Sequence, residues 1–175
     1  MPKQERGLLW GFQLWVNLPS THKMTKPRYQ DIAPARIPEV AADGATIRVV
    51  AGELDGKTGP VDGVVTAPRM LDVKLARGGR FRQPLPADHN AFLYVLDGAV
   101  RVGPSGTGVA AGTLAVLGPG EAAALTSDEG GRALLLSGKP IGEPVARYGP
   151  FVMNTDEELR RAIEDYRSGR LVQGT

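Results

Sequence analysis

The stretch that decides the fold is HNAFLYVLDGAVRVG, which runs from His89 to Gly103. Its first part, His89 to Leu96, is rich in aromatic and β-branched residues and soon becomes apolar without alternation, a pattern typical of a strand buried on both faces. Asp97-Gly98 follows, and a type I′ turn requires positive φ at both of its central positions. The stretch therefore predicts a β-hairpin that reverses at Asp97-Gly98.

Further strands are predicted on both sides of this hairpin, each ended by a turn rich in Gly or Pro. Alternating or β-branched apolar residues predict strands over residues 10–18, 28–32, 46–51, 71–76, 113–117, 122–125 and 132–136. Strands at intervals of about ten residues, with turns between them, are typical of a sandwich or barrel. The segment from Gly52 to Pro60 predicts a turn or an exposed loop.

The C-terminal end carries the signals of a helix instead. Thr155-Asp156-Glu157-Glu158 has the form of a capping box. Leu159, Ala162, Ile163 and Tyr166 follow at the spacing that places them on one helical face. We therefore predict one C-terminal helix, whose apolar face covers either its own barrel or a neighbouring domain or subunit.

The composition is that of an ordinary globular protein and excludes several classes. The 175 residues fit one domain, with 42% hydrophobic and 23% charged residues. A formal net charge of +2 is too small to indicate nucleic-acid binding. The chain has no cysteine, and it has neither an apolar run long enough to span a membrane nor the pattern of a signal peptide. We expect a cytoplasmic protein that binds no nucleic acid and no membrane.

The glycines around the central hairpin have the spacing of the two cupin motifs. Gly79-x5-Leu85-x-Ala87-x3-Ala91-x6-Gly98 resembles the first motif. Gly112-x5-Gly118-Pro119-Gly120-x2-Ala123-x3-Ser127 resembles the second. In metal-binding cupins, histidines stand at the positions of Leu85, Ala87 and Ala123, and a glutamate stands at the position of Ala91. The resemblance implies a jelly-roll-like β-barrel whose metal ligands have been replaced by apolar side chains.

Four longer stretches are similar to the C-terminal half of the pirin family. They are GFQLWVNLP from Gly11, KM with PRYQ from Lys23, NAFLYVLDG from Asn90, and YGPFVMNT from Tyr148 with the helix after it. Pirins are bicupins, with two barrels in one chain and a single iron site in the N-terminal barrel. The resemblance therefore implies no cofactor for this chain and iron only in the family's N-terminal cupin.

The first residues bear on how the chain relates to a whole pirin. Met1-Pro2-Lys3-Gln4-Glu5 resembles the stretch that follows the family's second metal motif. By this resemblance the chain starts just after the last metal ligand, as a fragment, a natural half-pirin or the product of a misassigned start. The expected division is a first strand and linker over residues 1–27, a cupin barrel over 28–150, and a helix and tail over 151–175.

Few residues offer chemistry of their own. His22 and His89 are the only histidines, and we expect each to be a surface or strand-edge residue and not a metal ligand. Trp10 and Trp15 have opposite parity on the first predicted strand, so each face of that strand carries an indole. Together with the helix residues, they are candidates for partner contacts; the candidate set is Trp10, Trp15, Leu159, Ile163 and Tyr166.

The sequence therefore predicts an all-β cupin barrel with one C-terminal helix and no catalytic residue. The expected function is structural or partner-binding: the metal-free half of a pirin-like protein, which self-associates or supports a second cupin barrel. One alternative is that the chain is part of a metal-dependent quercetin 2,3-dioxygenase whose active site lies in the N-terminal half. The other is a barrel that binds an unidentified small molecule in the emptied metal pocket.

Overall fold

Antiparallel strands dominate the structure, a computed structural model that describes residues 11–171. The described chain divides into two units. Residues 25–142 form one, which we call the barrel unit, and residues 11–24 with Glu143–Leu171 form the other, which we call the helix unit. No helix within residues 11–171 is long and apolar enough to cross a membrane.

The barrel unit is a nearly closed barrel of antiparallel strands. Its strands are β1 (Glu39–Ala42), β2 (Ala45–Ala51), β3 (Glu53–Leu54), β4 (Lys57–Thr58), β5 (Arg69–Leu75), β6 (Arg80–Pro84), β7 (Asn90–Val102), β8 (Thr107–Ala110), β9 (Leu114–Val116), β10 (Ala122–Thr126) and β11 (Gly131–Gly138). The main sheet has the order β1-β2-β5-β11-β7-β10-β6, with β8 and β9 also paired to β7. The Arg80 N–H in β6 donates to the carbonyl of Asp43, in the turn between β1 and β2. This bond brings the two ends of the strand order together.

The core lies inside this barrel because alternate residues of each strand point to the same side. In β2, for example, Ile47 and Val49 are buried, whereas Thr46 between Ala45 and Ile47 is exposed. Side chains from nine of the strands meet in one cluster that is aliphatic except for Phe81. Its largest fully buried members are Ile47, Leu71, Leu93, Leu125 and Leu135.

The predicted reversal at Asp97-Gly98 is wrong, because β7 runs through it without a turn. Arg132 of β11 pairs with Asp97 but the next residue, Ala133, pairs with Val95, so β7 carries one extra residue there. Gly98 has a φ of +65° and marks this bulge. Beyond it, β7 pairs with β8 and β10 instead. A glycine with positive φ suits a bulge as well as a turn, and the chain reverses only at residues 103–106.

Most of the other strand predictions are confirmed, and two are wrong. Strands occupy the segments predicted near residues 46–51, 71–76, 113–117, 122–125 and 132–136. Residues 11–19 and 28–32 contain no strand, since alternation alone does not supply the neighbouring strand that a ladder requires. The predicted loop from Gly52 to Pro60 contains the small β3–β4 hairpin. Trp10 lies outside the described residues.

The helix unit combines a hairpin, a helix and an irregular segment. The hairpin joins β12 (Ala146–Tyr148) to β13 (Phe151–Met153), and α1 (Asp156–Arg167) follows. The capping box is confirmed: the Thr155 hydroxyl accepts from the Glu158 N–H, and the Glu158 carboxylate accepts from the Thr155 N–H. The helix packs on both strands of the hairpin, and the rings of Phe151 and Tyr166 meet edge to face at 5.6 Å.

Candidate functional site

The four residues at the cupin ligand positions lie on or beside three strands of the barrel unit. Ala123 is in β10 and Ala91 is in β7, and they are only 2% and 5% exposed. Leu85 follows β6 and packs against the core cluster. Ala87 is exposed in the loop between β6 and β7. The structure therefore places three of the four side chains against or within the barrel interior and the fourth at its surface.

Gln83 is the polar side chain nearest in register to these positions. Its Cα lies opposite that of Ala123 across the β6–β10 ladder, and its side chain is 4% exposed. The side-chain nitrogen donates to the Pro84 carbonyl at 2.9 Å. The side-chain oxygen has no hydrogen-bond partner among the described residues. Sequence analysis missed Gln83, although its position two residues before Leu85 in a strand puts both side chains on one face.

These residues do not fit the iron of a cupin. Transition metals in proteins are held by imidazole, carboxylate or thiolate groups, and the aliphatic side chains of Leu85, Ala91 and Ala123 have no lone pair to donate. Gln83 offers one neutral amide oxygen. Within residues 11–171, no three His, Asp or Glu side chains converge in a way that could hold a metal ion.

The two histidines lie in different units. His22 ends a short 3-10 helix of the helix unit, Ser20–His22, and its Nδ1 lies 2.8 Å from the hydroxyl of Thr21. His89 is half-buried in the barrel unit, where its backbone N–H donates to the Pro86 carbonyl. Neither contact resembles the orienting hydrogen bond to a carboxylate or carbonyl that supports a metal-bound imidazole.

One concave surface belongs to the helix unit. We call it the Trp15 groove; its lining residues are Leu14, Trp15, Val16, Asn17, Leu18, Lys23, Arg147, Pro150 and Val152, and its volume is about 450 Å³. The guanidinium carbon of Arg147 lies 5.8 Å from the centre of the Trp15 ring, within the range of a cation–π interaction. The Lys23 ammonium donates to the Asn17 side chain at 2.7 Å. Sequence analysis singled out Trp15 but missed both cations.

A hydrogen-bond network built on Glu143 ties the parts of the helix unit together. One carboxylate oxygen of Glu143 accepts from the Ser20 backbone N–H at 2.7 Å and from the Asn154 side-chain nitrogen at 2.8 Å. The Ser20 hydrogen bond, followed by that of Asn154, lowers the pKa of Glu143. The network joins three stretches that lie more than ten residues apart in sequence, so no local sequence pattern predicts it.

The helix residues proposed as partner contacts differ widely in exposure. Leu159 is buried at 8%, together with Ala162. Ile163 is half-buried, whereas Tyr166 is 65% exposed. Trp15 is 55% exposed. Of the candidates that the structure describes, Trp15 and Tyr166 therefore present the most surface to solvent.

One ion pair in the barrel unit is partly buried. The guanidinium of Arg132 in β11 donates two hydrogen bonds to the carboxylate of Asp72 in β5, at 2.8 and 2.6 Å. These bonds raise the pKa of Arg132. The Asp72 side chain is 10% exposed and that of Arg132 is 46% exposed, so the pair links two strands at the barrel surface. Such a pair stabilises strand pairing and offers no chemistry of its own.

The nine-stranded antiparallel sheet of the barrel unit, with its cupin glycine spacing, defines a cupin-type protein. Comparison with known proteins gives the family. Residues 70–172 match the profile of the pirin C-terminal cupin domain, so the chain belongs to the pirin family. The resemblance noted in the sequence is thereby confirmed.

Relatives from distant organisms share this similarity. A pirin-like protein of Caulobacter vibrioides is 42% identical over 97% of this chain and 62% of its own length. Human pirin is 38% identical over 91% of this chain and 56% of its own length. The crystal structure of a quercetin 2,3-dioxygenase from Acinetobacter baumannii superposes with a TM-score of 0.82 at 38% identity, covering 90% of this chain and 55% of that one. The chain thus spans little more than half the length of the relatives it matches.

Proposed function

We propose that this chain is the metal-free C-terminal cupin of a pirin-type protein and that its role is to hold a partner, not to catalyse. The observation that supports this role most directly is the chemistry at the four cupin ligand positions, where every side chain is aliphatic. Two of the four, Ala91 and Ala123, are buried by the barrel's own packing. The cytoplasm remains the compartment we expect from the sequence.

Metal analysis tests the first half of this proposal. We expect the purified chain to contain far less than one equivalent of iron, zinc, copper, nickel or manganese. The matched experiment restores the ligands with Leu85→His, Ala87→His, Ala91→Glu and Ala123→His, and we expect about one bound metal per chain, as three or four converging ligands provide. If the buried glutamate prevents folding, the triple variant Leu85→His/Ala87→His/Ala123→His replaces it. Near-stoichiometric metal in the unaltered chain would contradict the proposal.

The partner role rests on the exposed apolar surface of the helix unit. Leu14, Trp15 and Val16 are 44%, 55% and 42% exposed, and Tyr166 is 65% exposed. Monomers rarely leave contiguous apolar patches larger than a few hundred Å² uncovered. We propose that these side chains, with Ile163, meet a second copy or a second cupin barrel, and that a two-fold dimer is the arrangement formed by the chain alone.

Sedimentation measures this association directly. We expect a dimer at high protein concentration that Tyr166→Ser or Trp15→Ser weakens. Tyr29→Ser is the matched control, since Tyr29 is exposed in the barrel unit and outside the proposed surface. A monomer at all concentrations, or equal weakening by Tyr29→Ser, would contradict the partner role of the helix unit.

A second candidate function follows from the name of one relative. Because the Acinetobacter baumannii structure is of a quercetin 2,3-dioxygenase, we propose as the alternative that this chain is part of such an enzyme, with its metal in another domain. Dioxygen chemistry on a flavonol needs a redox metal with open coordination positions, which the described residues do not supply. We expect no oxygen uptake with quercetin from this chain, with or without added iron. Turnover by the chain itself would contradict both readings.

A further inference from the structure

The Trp15 groove combines three properties of a small-molecule site. Its volume of about 450 Å³ falls in the usual range for ligand pockets. Its walls are mostly apolar and include Leu14, Val16 and Val152. The indole of Trp15 remains 55% exposed and therefore offers a large, rigid surface for an aromatic ring.

The charge of the groove is one-sided. Among residues 11–171, its lining includes two cations, Lys23 and Arg147, and no carboxylate. Arg147 makes no ion pair with any described residue and instead lies over the Trp15 ring. Lys23 is held by a neutral partner, Asn17. The hydrogen bonds from Ser20 and Asn154 lower the pKa of Glu143, and the positive charge of Lys23 also helps to lower it, but less than they do. The Glu143 carboxylate accepts both of those hydrogen bonds, and Glu143 does not line the groove.

We propose that the Trp15 groove binds a planar aromatic carboxylate. The aromatic ring packs against Trp15 and the aliphatic wall. The carboxylate accepts hydrogen bonds from Arg147, and the positive charge of Lys23 stabilises it further. Arg147 suits this role because its planar guanidinium donates to a carboxylate in a bidentate manner while it stays stacked on an indole. The groove is large enough for a two-ring ligand. This inference depends on the helix unit only and is independent of the metal content of the barrel.

The charge pattern also decides which ligands bind poorly. A neutral aromatic of the same shape gains the ring contacts but leaves both cations without an anionic partner. An aromatic amine brings a third positive charge next to two cations, with no carboxylate among the described lining residues to offset it. The groove therefore selects for charge as well as for shape, and the difference in affinity between an anionic and a neutral ligand of the same shape measures that selection.

The experiment compares 2-naphthoate with its neutral analogue 2-naphthamide. Trp10→Phe leaves Trp15 as the only tryptophan, so that quenching of its fluorescence reports the groove, and calorimetry measures the affinities independently. The titration uses a protein concentration below that at which sedimentation detects dimers. Because hydrogen bonds to charged groups are about twice as strong as neutral ones, we expect naphthoate to bind at least about tenfold more tightly, with the difference shrinking as salt is added.

Variants of Arg147 test whether the preference for naphthoate over naphthamide arises in the groove. We expect Arg147→Gln to bring the two affinities together while leaving that of naphthamide nearly unchanged, and Arg147→Lys to keep part of the preference. The matched control is Arg167→Gln, which removes the same charge from the end of α1, outside the groove, and should keep the full preference. If Arg147→Gln fails to fold, the comparison of wild type with Arg147→Lys decides.

Three results would overturn the proposal. The first is equal binding of the two ligands, or binding of neither, by the Trp10→Phe protein. The second is calorimetric binding of naphthoate without any change in Trp15 fluorescence, which would place the site elsewhere. The third is a preference that survives Arg147→Gln as fully as it survives Arg167→Gln.

Discussion

The barrel unit and the helix unit use apolar residues for different purposes. Every side chain that is less than 2% exposed in the described structure lies in the barrel unit. In the helix unit, Leu159 and Ala162 are the buried apolar residues among those described, whereas Trp15 and both tyrosines, Tyr148 and Tyr166, are more than half exposed. The barrel unit thus buries its large apolar side chains within its own core. The helix unit leaves large apolar side chains exposed, which is what the proposed partner role requires.

The largest expected effect tests where the stability resides. Leu135→Ala opens a cavity in the aliphatic cluster and should cost about 3–5 kcal/mol, whereas Leu159→Ala, at a less enclosed site, should cost about 2 kcal/mol. Leu135 is 1% exposed and Leu159 is 8% exposed. Denaturant melts of the two variants and the parent give both values. Equal losses would mean that the two units are equally well packed and would undo the contrast drawn between them.

The second prediction separates a bulge from an ordinary turn within the barrel unit. Gly98→Ala should cost about 3 kcal/mol, because the left-handed backbone and a clash act together. A Cβ at Gly98 would collide with the carbonyl oxygen of Gly130. Gly103→Ala is the control, with a similar φ of +69° and no atom within 4 Å of the new Cβ, and should cost only about 1 kcal/mol. Equal costs would show that the bulge relaxes to accept a side chain.

The same glycine shows what the sequence determines and what it does not. Alternation and β-branching located most of the barrel strands between residues 46 and 136, because burial on one face imposes period two. They missed β6 (Arg80–Pro84) and β8 (Thr107–Ala110). The Asp97-Gly98 pair predicted positive φ correctly at Gly98, but the sequence could not say whether the partner strand stops or continues there. That depends on Arg132 and Ala133, more than thirty residues away.

The candidate site divides in the same way. The cupin spacing predicted four ligand positions. Leu85, Ala91 and Ala123 lie against or inside the barrel, whereas Ala87 is exposed in the loop after β6. The spacing could not find the partners of Trp15 in the groove, because Arg147 reaches Trp15 only through tertiary structure. The predicted strand over residues 10–18 failed for a related reason: alternation predicts a face, but a ladder also needs a neighbour.

A smaller effect is expected at the start of the helix. Thr155→Ala removes the hydroxyl that accepts from the Glu158 N–H and should destabilise the protein by about 1 kcal/mol. Thr155→Ser keeps the acceptor and should lose a few tenths of a kcal/mol at most. Denaturant melts at fixed pH distinguish the two. If Ala and Ser are equally tolerated, the capping box contributes nothing measurable and the helix is held by packing alone.

The smallest effect concerns pH and is confined to the helix unit. The hydrogen bond from the Ser20 N–H, helped by Asn154, lowers the pKa of Glu143 below its ordinary value of 4.5. A carboxyl whose pKa is lower in the folded state binds its proton more readily in the unfolded chain, so its stabilising contribution is present above pH 4.5 and is lost as the pH falls through the folded pKa. Glu143→Gln keeps an acceptor oxygen but has no charge to lose. We therefore expect the variant to be less stable than the parent at neutral pH and the two to converge in acid.

Glu53→Gln is the control, because Glu53 is exposed and makes no hydrogen bond or ion pair from its side chain to the described residues. Melts of the three proteins between pH 3 and pH 7 test this. A difference between parent and Glu143→Gln that stays constant with pH would mean that the network acts through its geometry and not through the charge of Glu143.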